Sequence, residues 1–278
     1  MGSVGGTHMH RFLILGGALF SAALVNGTAS AQYRTTTMLD WTGFYVGAQI
    51  GYGWQPRDPD EHFTFDRDGD GRYGDLFPNY TFGHCGGTPT SNTPLSGCIK
   101  DGDGTAWKIH AGYDHQFGER SGPVIGLVAE LGEANLSDDV GAFGTIYRIR
   151  ATIKTIGSLR ARAGYSFGTG TLVYGTGGLA FGRIRNSFAT SVKTPGQFVQ
   201  AFVTSDPTRH AWGYNYGGGI EQLAGPFSVG ALYLFTTLEN DKYRVTAIPV
   251  GGGRPLDFKR SSPRFGYHSA LATVSYRF

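Results

Sequence analysis

Much of what other function classes require is missing from this chain. Its 278 residues include only two cysteines, and 16% are charged, for a net charge of +3. Two cysteines cannot supply a second Cys-x-x-Cys or Cys/His pair for a structural zinc site. The basic residues are scattered and form no long tail, so nothing marks a nucleic-acid partner. Beyond residue 31 no apolar run approaches the roughly 20 residues of a membrane-spanning helix. Catalytic signatures are absent as well. No Gly-x-Ser-x-Gly elbow occurs, and Gly175-Thr176-Gly177-Gly178 lacks the Lys-Ser/Thr of a phosphate loop. His268 and Ser269 are adjacent, and neighbours on a strand face opposite sides. The expectation is a protein without enzymatic activity, nucleic-acid partner or cofactor, apart from a weak calcium site taken up below.

Glycine and aromatics are abundant: 45 Gly, 15 Tyr and 19 Phe. That composition suits strands, where aromatics pack beside glycines and form interfacial girdles. In lipid, only helices and closed sheets satisfy every backbone polar group, so a membrane form of this chain must be a barrel. Residues 1–31 read as a cleaved export signal, with Arg11, an apolar stretch from Phe12 to Val25, and Ala29-Ser30-Ala31 before Gln32. Residues 1–8 lie oddly upstream, consistent with a start at Met9 or with a non-native leader. The mature unit, 32–278, is expected in the bacterial outer membrane.

Period-2 alternation marks eight strands. Phe44, Val46, Ala48, Ile50 and Tyr52 share one face of the first, and Trp107, Ile109, Ala111 and Tyr113 one face of the second. The third sets Ile125, Leu127, Ala129 and Leu131 against Val128 and Glu130. The fourth runs from about Tyr147 to Phe167, with Leu159, Ala161, Ala163 and Tyr165 against Arg160 and Arg162. Leu172 to Arg183 forms the fifth. Trp212, Tyr214, Tyr216 and Ile220 oppose Asn215 and Glu221 on the sixth, and Phe227 to Phe235 is the seventh. The eighth runs from about Arg264, with Ala270, Ala272, Val274, Tyr276 and Phe278 outward. Connections after the even strands are short. Those after the odd strands are long, at about 55–104, 134–146, 186–209 and 241–262. Short turns on one side and long loops on the other are the asymmetry of an outer-membrane barrel. A soluble eight-stranded barrel would turn its apolar face inward, but here the opposite face carries the charges. Tyr276 and Phe278 end the last strand as an apolar anchor, expected to be read by the barrel-assembly machinery.

Four segments carry a family resemblance: Trp41-Thr42-Gly43-Phe44-Tyr45-Val46-Gly47, Gly157 to Tyr165, Tyr174 to Gly182, and Val274-Ser275-Tyr276-Arg277-Phe278. In that order they resemble the alphaproteobacterial small outer-membrane proteins, the OmpA-like, porin-family barrels that include major surface antigens. The resemblance spans the strands from 41 to 278 but not the first long loop. It implies a structural and surface role in the envelope. The alternatives it implies are a narrow porin-like channel for small solutes or ions and a loop-mediated adhesin. Outer-membrane lipids and lipopolysaccharide are the implied partners, with a host or surface ligand unnamed. One departure stands out: similar proteins tend to place charges on the inward face of the seventh strand, where this chain has Gly230 and Leu232.

An eight-stranded interior is just wide enough for side chains to fill, and charges there must be paired. Arg160 and Arg162 are expected to pair with Glu130, and Lys108, Asp114 and Glu221 to extend the network. The reading taken is a plugged, rigid lumen; the alternative is a narrow water or ion path. In the first loop, Asp66-Arg67-Asp68-Gly69-Asp70-Gly71 opens like a calcium loop, with Asp66, Asp68 and Asp70 as ligands. The twelfth position, which should be acidic, is Phe77; Asp75 is near but out of register, and Asp58, Asp60 and Glu61 are possible helpers. An acidic solvated loop is the other reading. Asp101 and Asp103 are taken to mark the turn into the second strand. Cys85 and Cys98 are read as a disulfide of an exported protein, with a metal site involving His84 as the rival.

Overall fold

A computed structural model describes residues 39–56, 58–76, 83–90, 97–142 and 146–278. The expected signal, 1–31, lies outside them. The described residues form strands and no helix, in the order β1 (Gly43–Trp54), β2 (Phe63–Asp66), β3 (Cys85–Gly86), β4 (Thr88–Pro89), β5 (Cys98–Ile99), β6 (Gly104–Gln116), β7 (Gly122–Ala134) and β8 (Ser137–Ala142). There follow β9 (Tyr147–Ser166), β10 (Thr171–Thr190), β11 (Val199–Ser205), β12 (Thr208–Ala224), β13 (Phe227–Glu239), β14 (Arg244–Pro249), β15 (Leu256–Arg260) and β16 (Arg264–Arg277).

Eight of these close into an antiparallel barrel in the order β1-β6-β7-β9-β10-β12-β13-β16, with β16 pairing back onto β1. Closure leaves no unpaired edge in the wall. The alternation is inverted relative to a water-soluble fold. Phe44, Ile50, Ile109, Leu127, Leu159, Leu179 and Trp212 are exposed on the outside, while Gln49, Lys108, Asp114, Glu130, Arg160 and Arg162 are buried within. The faces read from the sequence come out as expected wherever one was assigned; for the fifth strand, β10, none was. Gly230 and Leu232 do face inward; a Cβ on Gly230 would run into the Ile220 carbonyl oxygen and fall 2.6 Å from Glu221 Cγ, so the glycine lets β12 approach closely there.

The four long connections are a different matter. Expected as loops, they fold into a second layer. β9 and β10 are 20 residues each, about twice the 9–11 that cross a bilayer, and their far ends continue past the lipid belt. β8 pairs along β9 there, and β11-β14-β15-β2 forms a separate four-stranded sheet. Phe63, Phe65, Val140, Ile149, Val245 and Phe258 meet between the two layers, with Tyr147, Phe188 and Phe202 packed against them. This cap has an ordinary apolar core. The disulfide Cys85–Cys98 is formed; it ties β3, which pairs with β8, to β5, which pairs with β4.

Candidate functional site

The barrel interior carries the densest chemistry. Its lower tier centres on Asp114, which takes two hydrogen bonds from the Arg162 guanidinium, one of them from Nε at 2.6 Å, and one from Arg277 Nη2 at 2.7 Å. Arg162 Nη1 also reaches Glu221 Oε1 at 2.9 Å, and Ser228 donates to the other oxygen of Glu221. Above lies a second tier around Glu130. Lys108 Nζ donates to it at 2.7 Å, Arg160 Nη2 at 2.6 Å and Ser158 Oγ at 2.9 Å. Every expected member of the network is therefore present, with the partners redistributed. Arg160 pairs with Glu130, whereas Arg162 pairs with Asp114 and Glu221.

The sequence reading left Arg277, Trp41, Tyr45 and Tyr174 out of the network. Four cations face three carboxylates, and the positive excess lies against aromatic faces. Arg162 sits over Tyr45 and Tyr174 at 4.8 and 4.9 Å, and Arg277 over Trp41 and Tyr45 at 4.7 and 4.8 Å. Such contacts strengthen when the cation is desolvated. The available signal was parity: Tyr45, Tyr174 and Arg277 all fall at inward positions.

Toward the cap the lumen turns apolar. Leu136, Ile153, Ile156, Ile184, Leu234, Leu238, Phe265 and Tyr267 form a fully buried layer across it. Between the charged tiers a void beside Gln49, His110, Arg160 and Thr273 measures about 10 Å³, the space of a single water. Much larger hollows lie on the outside of the wall. One of about 710 Å³ runs along Ala161, Ala163, Gly175 and Gly177, flanked by Tyr113 and Leu127. Small residues thin the wall there, on the face turned to lipid.

The cap has its own ion pairs. Arg260 makes a two-pronged contact with Glu61 at 2.7 and 2.8 Å and also holds Asp138. Arg150 grips Asp139 in the same way, at 2.8 and 2.7 Å. Asp101 is buried and accepts the Asp139 N–H at 2.7 Å. This corrects the reading of Asp101 as a turn marker. Burial, followed by repulsion from Asp138, pushes its carboxyl up to about 7. Burial likewise raises Asp138 and Glu61 against the pull of Arg260. Glu61 is thus engaged in the cap core and not free to assist a calcium loop.

In that loop the carboxylates serve the backbone. Asp66 accepts N–H groups of Gly69 and Gly71 at 2.7 and 2.9 Å, Asp68 that of Asp70 at 3.0 Å, and Asp70 that of Arg72 at 2.7 Å. The acids brought within 4.8 Å of one another are Asp66, Asp68 and Asp75. Asp70 of the expected trio stays outside, and Asp75, judged out of register, is drawn in because the chain doubles back so that Asp75 accepts the Arg67 N–H at 2.6 Å. The disulfide removes the thiols from the rival metal reading, and the His84 ring lies tilted against His62 and edge-on to Phe63. His268 lies against Trp54 and bonds the Tyr233 hydroxyl at 2.7 Å, while Ser269 is buried on the lumen side. At the other end of the wall Tyr276 and Phe278 are exposed outward, their rings 5.1 Å apart.

No family model matches the chain. It is 27% identical over 227 residues to the 31 kDa outer-membrane immunogenic protein of Brucella melitensis, an alignment covering 80% of this chain and 81% of that protein, and equally so to the protein of the same description in Brucella suis. Solved structures similar to it include the outer membrane protein OprG from Pseudomonas aeruginosa, with a TM-score of 0.45, 11% identity and coverage of 87% of this chain and 99% of that one. Another is Ail, the attachment invasion locus protein of Yersinia pestis, with a TM-score of 0.36, 11% identity and coverage of 85% and 99%. The apolar outer wall, the polar interior and the similarity to the Brucella proteins agree on an outer-membrane β-barrel protein similar to the 31 kDa immunogenic proteins.

Proposed function

We propose that the protein is a closed structural barrel whose work is done on the outside of the cell, by holding a folded, disulfide-tied cap above the membrane and contributing to envelope integrity. The observation that carries this reading is the filled lumen. Two tiers of paired charges, with a void of about 10 Å³ between them, and an apolar layer toward the cap lie across it. A hydrated ion does not pass such an interior, so the reading gives the barrel neither transport nor chemistry to perform. Lipopolysaccharide around the wall and the barrel-assembly machinery reading Tyr276 and Phe278 belong to the same proposal. Planar-bilayer recording on purified protein tests it. Silent membranes are expected, and reproducible unit conductance from wild-type barrels would overturn it in favour of a narrow channel.

A second reading, surface contact through the cap, has its own support. Phe198 is 77% exposed and Val250 50%, side by side through a Val250 N–H to Phe198 carbonyl bond of 3.1 Å, well beyond the lipid belt. Cell or matrix binding that is lost in a Phe198→Ser, Val250→Ser variant with an unchanged barrel would support it.

A further inference from the structure

On one side of the barrel the outer wall changes chemistry just past the lipid belt. The outward positions of β9 and β10 run through Leu159, Leu179 and Phe181, and beyond them come Lys154, Arg183 and Arg185, all exposed. Arg183 stands opposite Thr155 on β9 and His210 on β12, and Arg185 opposite Thr152 and Thr208. The β9–β10 register shifts between Arg183 and Ile184, leaving Lys154 as the extra, unpaired residue of a bulge. A bulge re-aims a side chain, and here Lys154 joins the outward row. Neighbours on such a face are roughly 5–8 Å apart, so one headgroup can touch several. Farther out on β9, Arg148 and Arg150 continue the row.

The patch lacks counter-charge. Every Asp and Glu of the chain falls among the described residues. Arg150 has Asp139, but no carboxylate pairs with Arg148, Lys154, Arg183 or Arg185. Across the barrel the corresponding zone is balanced or neutral: Glu239 stands opposite Arg264, and Trp54, Tyr233 and His268 stack together. Clustered like charges repel unless something anionic lies between them. Aromatic rings such as Phe181 and Trp212, 5.8 Å apart, sit at headgroup depth, so the cations directly beyond them face the headgroup layer. Arg in particular offers a planar fork that matches phosphate oxygens.

We infer that Lys154, Arg183, Arg185 and His210 form a binding site for the phosphorylated headgroup of an outer-leaflet lipid. This rests on the reading that the cap end faces outward. The site fixes the depth and rotation of the barrel in an asymmetric leaflet, through a side that carries more charge than the rest of the wall.

The test uses the full-length folded protein in phosphatidylcholine nanodiscs containing a few per cent of either bisphosphorylated lipid A or its dephosphorylated form, and counts lipid A retained per barrel after repurification. A basic residue beside an anionic surface contributes about a fivefold preference, so wild type should favour the phosphorylated form strongly. A Lys154→Gln, Arg183→Gln, Arg185→Gln variant should lose roughly a hundredfold of that preference. A Lys193→Gln, Lys242→Gln, Arg254→Gln variant, with the same charge change on the cap, should lose almost none. Equal retention of both lipids by wild type overturns the proposal, as does a preference that survives in the first variant. Complete displacement by millimolar inorganic phosphate would mark a free-phosphate site and overturns the lipid reading. A heat-shift gel reports folding separately. If the first variant does not fold, Arg183→Lys, Arg185→Lys is used instead: the proposal expects weakened but salt-sensitive preference, and salt-insensitive retention in wild type contradicts it.

Discussion

The barrel and the cap are built from the same strands under opposite rules. Along β9, the residues inside the barrel are Ser158, Arg160 and Arg162, and those outside are Leu159, Ala161 and Ala163. Past the bulge at Lys154 the same strand buries Ile149, Ala151 and Ile153 and turns Arg148, Arg150 and Lys154 outward. β10 repeats this, with Ile184 buried and Arg183 and Arg185 exposed. The backbone and its hydrogen bonds barely notice the change; the solvent does. Where hydrocarbon surrounds the wall, polar atoms gather inside, and where water surrounds it, apolar atoms do. The lumen is then held by electrostatics and hydrogen bonds, and the cap by apolar burial. The two regions should fail separately.

The largest separation is expected from core substitutions in each. Phe258 lies at the centre of the cap's aromatic cluster, 5.5 Å from Phe63 and 5.6 Å from Phe188. Phe258→Ala should destabilise the cap by about 3–5 kcal/mol, visible as rapid proteolysis beyond the membrane while the heat-shift of the barrel is kept. In the barrel, Glu130→Gln strands Lys108 and Arg160 in a buried site, a loss of about 3–5 kcal/mol. Urea unfolding in detergent should show it, with cap protection retained. An Ala161→Arg change, placing a charge in hydrocarbon, should cost about 2–4 kcal/mol. Lys154→Ala, seven residues along the same strand and at the bulge itself, should change barrel stability little.

The disulfide should act more locally. Opening Cys85–Cys98 releases a constraint worth about 3 kcal/mol in the chain-entropy account, felt in the first connection and in the β8 segment that β3 pairs with. Reduction should speed hydrogen exchange in β3 to β5 and β8 and leave the eight wall strands unchanged. The smallest effect is that of pH. Burial first, then Asp138, raises Asp101 to about 7, above the roughly 3.9 of an unfolded aspartate. A carboxyl raised on folding stabilises fully below its unfolded pKa and loses that contribution as pH climbs through the folded value. Cap protection, corrected for the intrinsic exchange rate, should therefore increase from pH 8 to pH 5.

How legible each region was follows from the same contrast. The eight wall strands could be read because long runs alternate strongly, as in Phe44 to Tyr52 against Tyr45 to Gly51. Which inward charges exist followed from parity alone. Which charge meets which did not, since Arg162 reaches Asp114 and Glu221 across strands distant in sequence. The cap strands are short, four residues in β2 and five in β15, and set among Gly, Pro and Asp. β2 and β15 pair through contacts such as Phe65 with Phe258, so no local pattern announces them. The basic row was not read, since faces were assigned on the fourth strand only from Leu159 to Tyr165 and on the fifth not at all. Along β10 Arg183 and Arg185 keep the outward parity of Leu179 and Phe181, and only on β9 does the bulge at Lys154 shift the alternation.

The polarity reversal along β9 is the claim on which the rest depends. It can be measured by placing single cysteines at each position from 147 to 166 in the full-length protein and labelling intact cells with a membrane-impermeant maleimide. The account predicts labelling at 148, 150, 152 and 154, and none at 159, 161, 163 and 165, which face lipid, or at 149, 151, 153, 160 and 162, which are buried. Labelling that alternates without a break along the whole strand, or that reaches 160 and 162 through an open lumen, would contradict it.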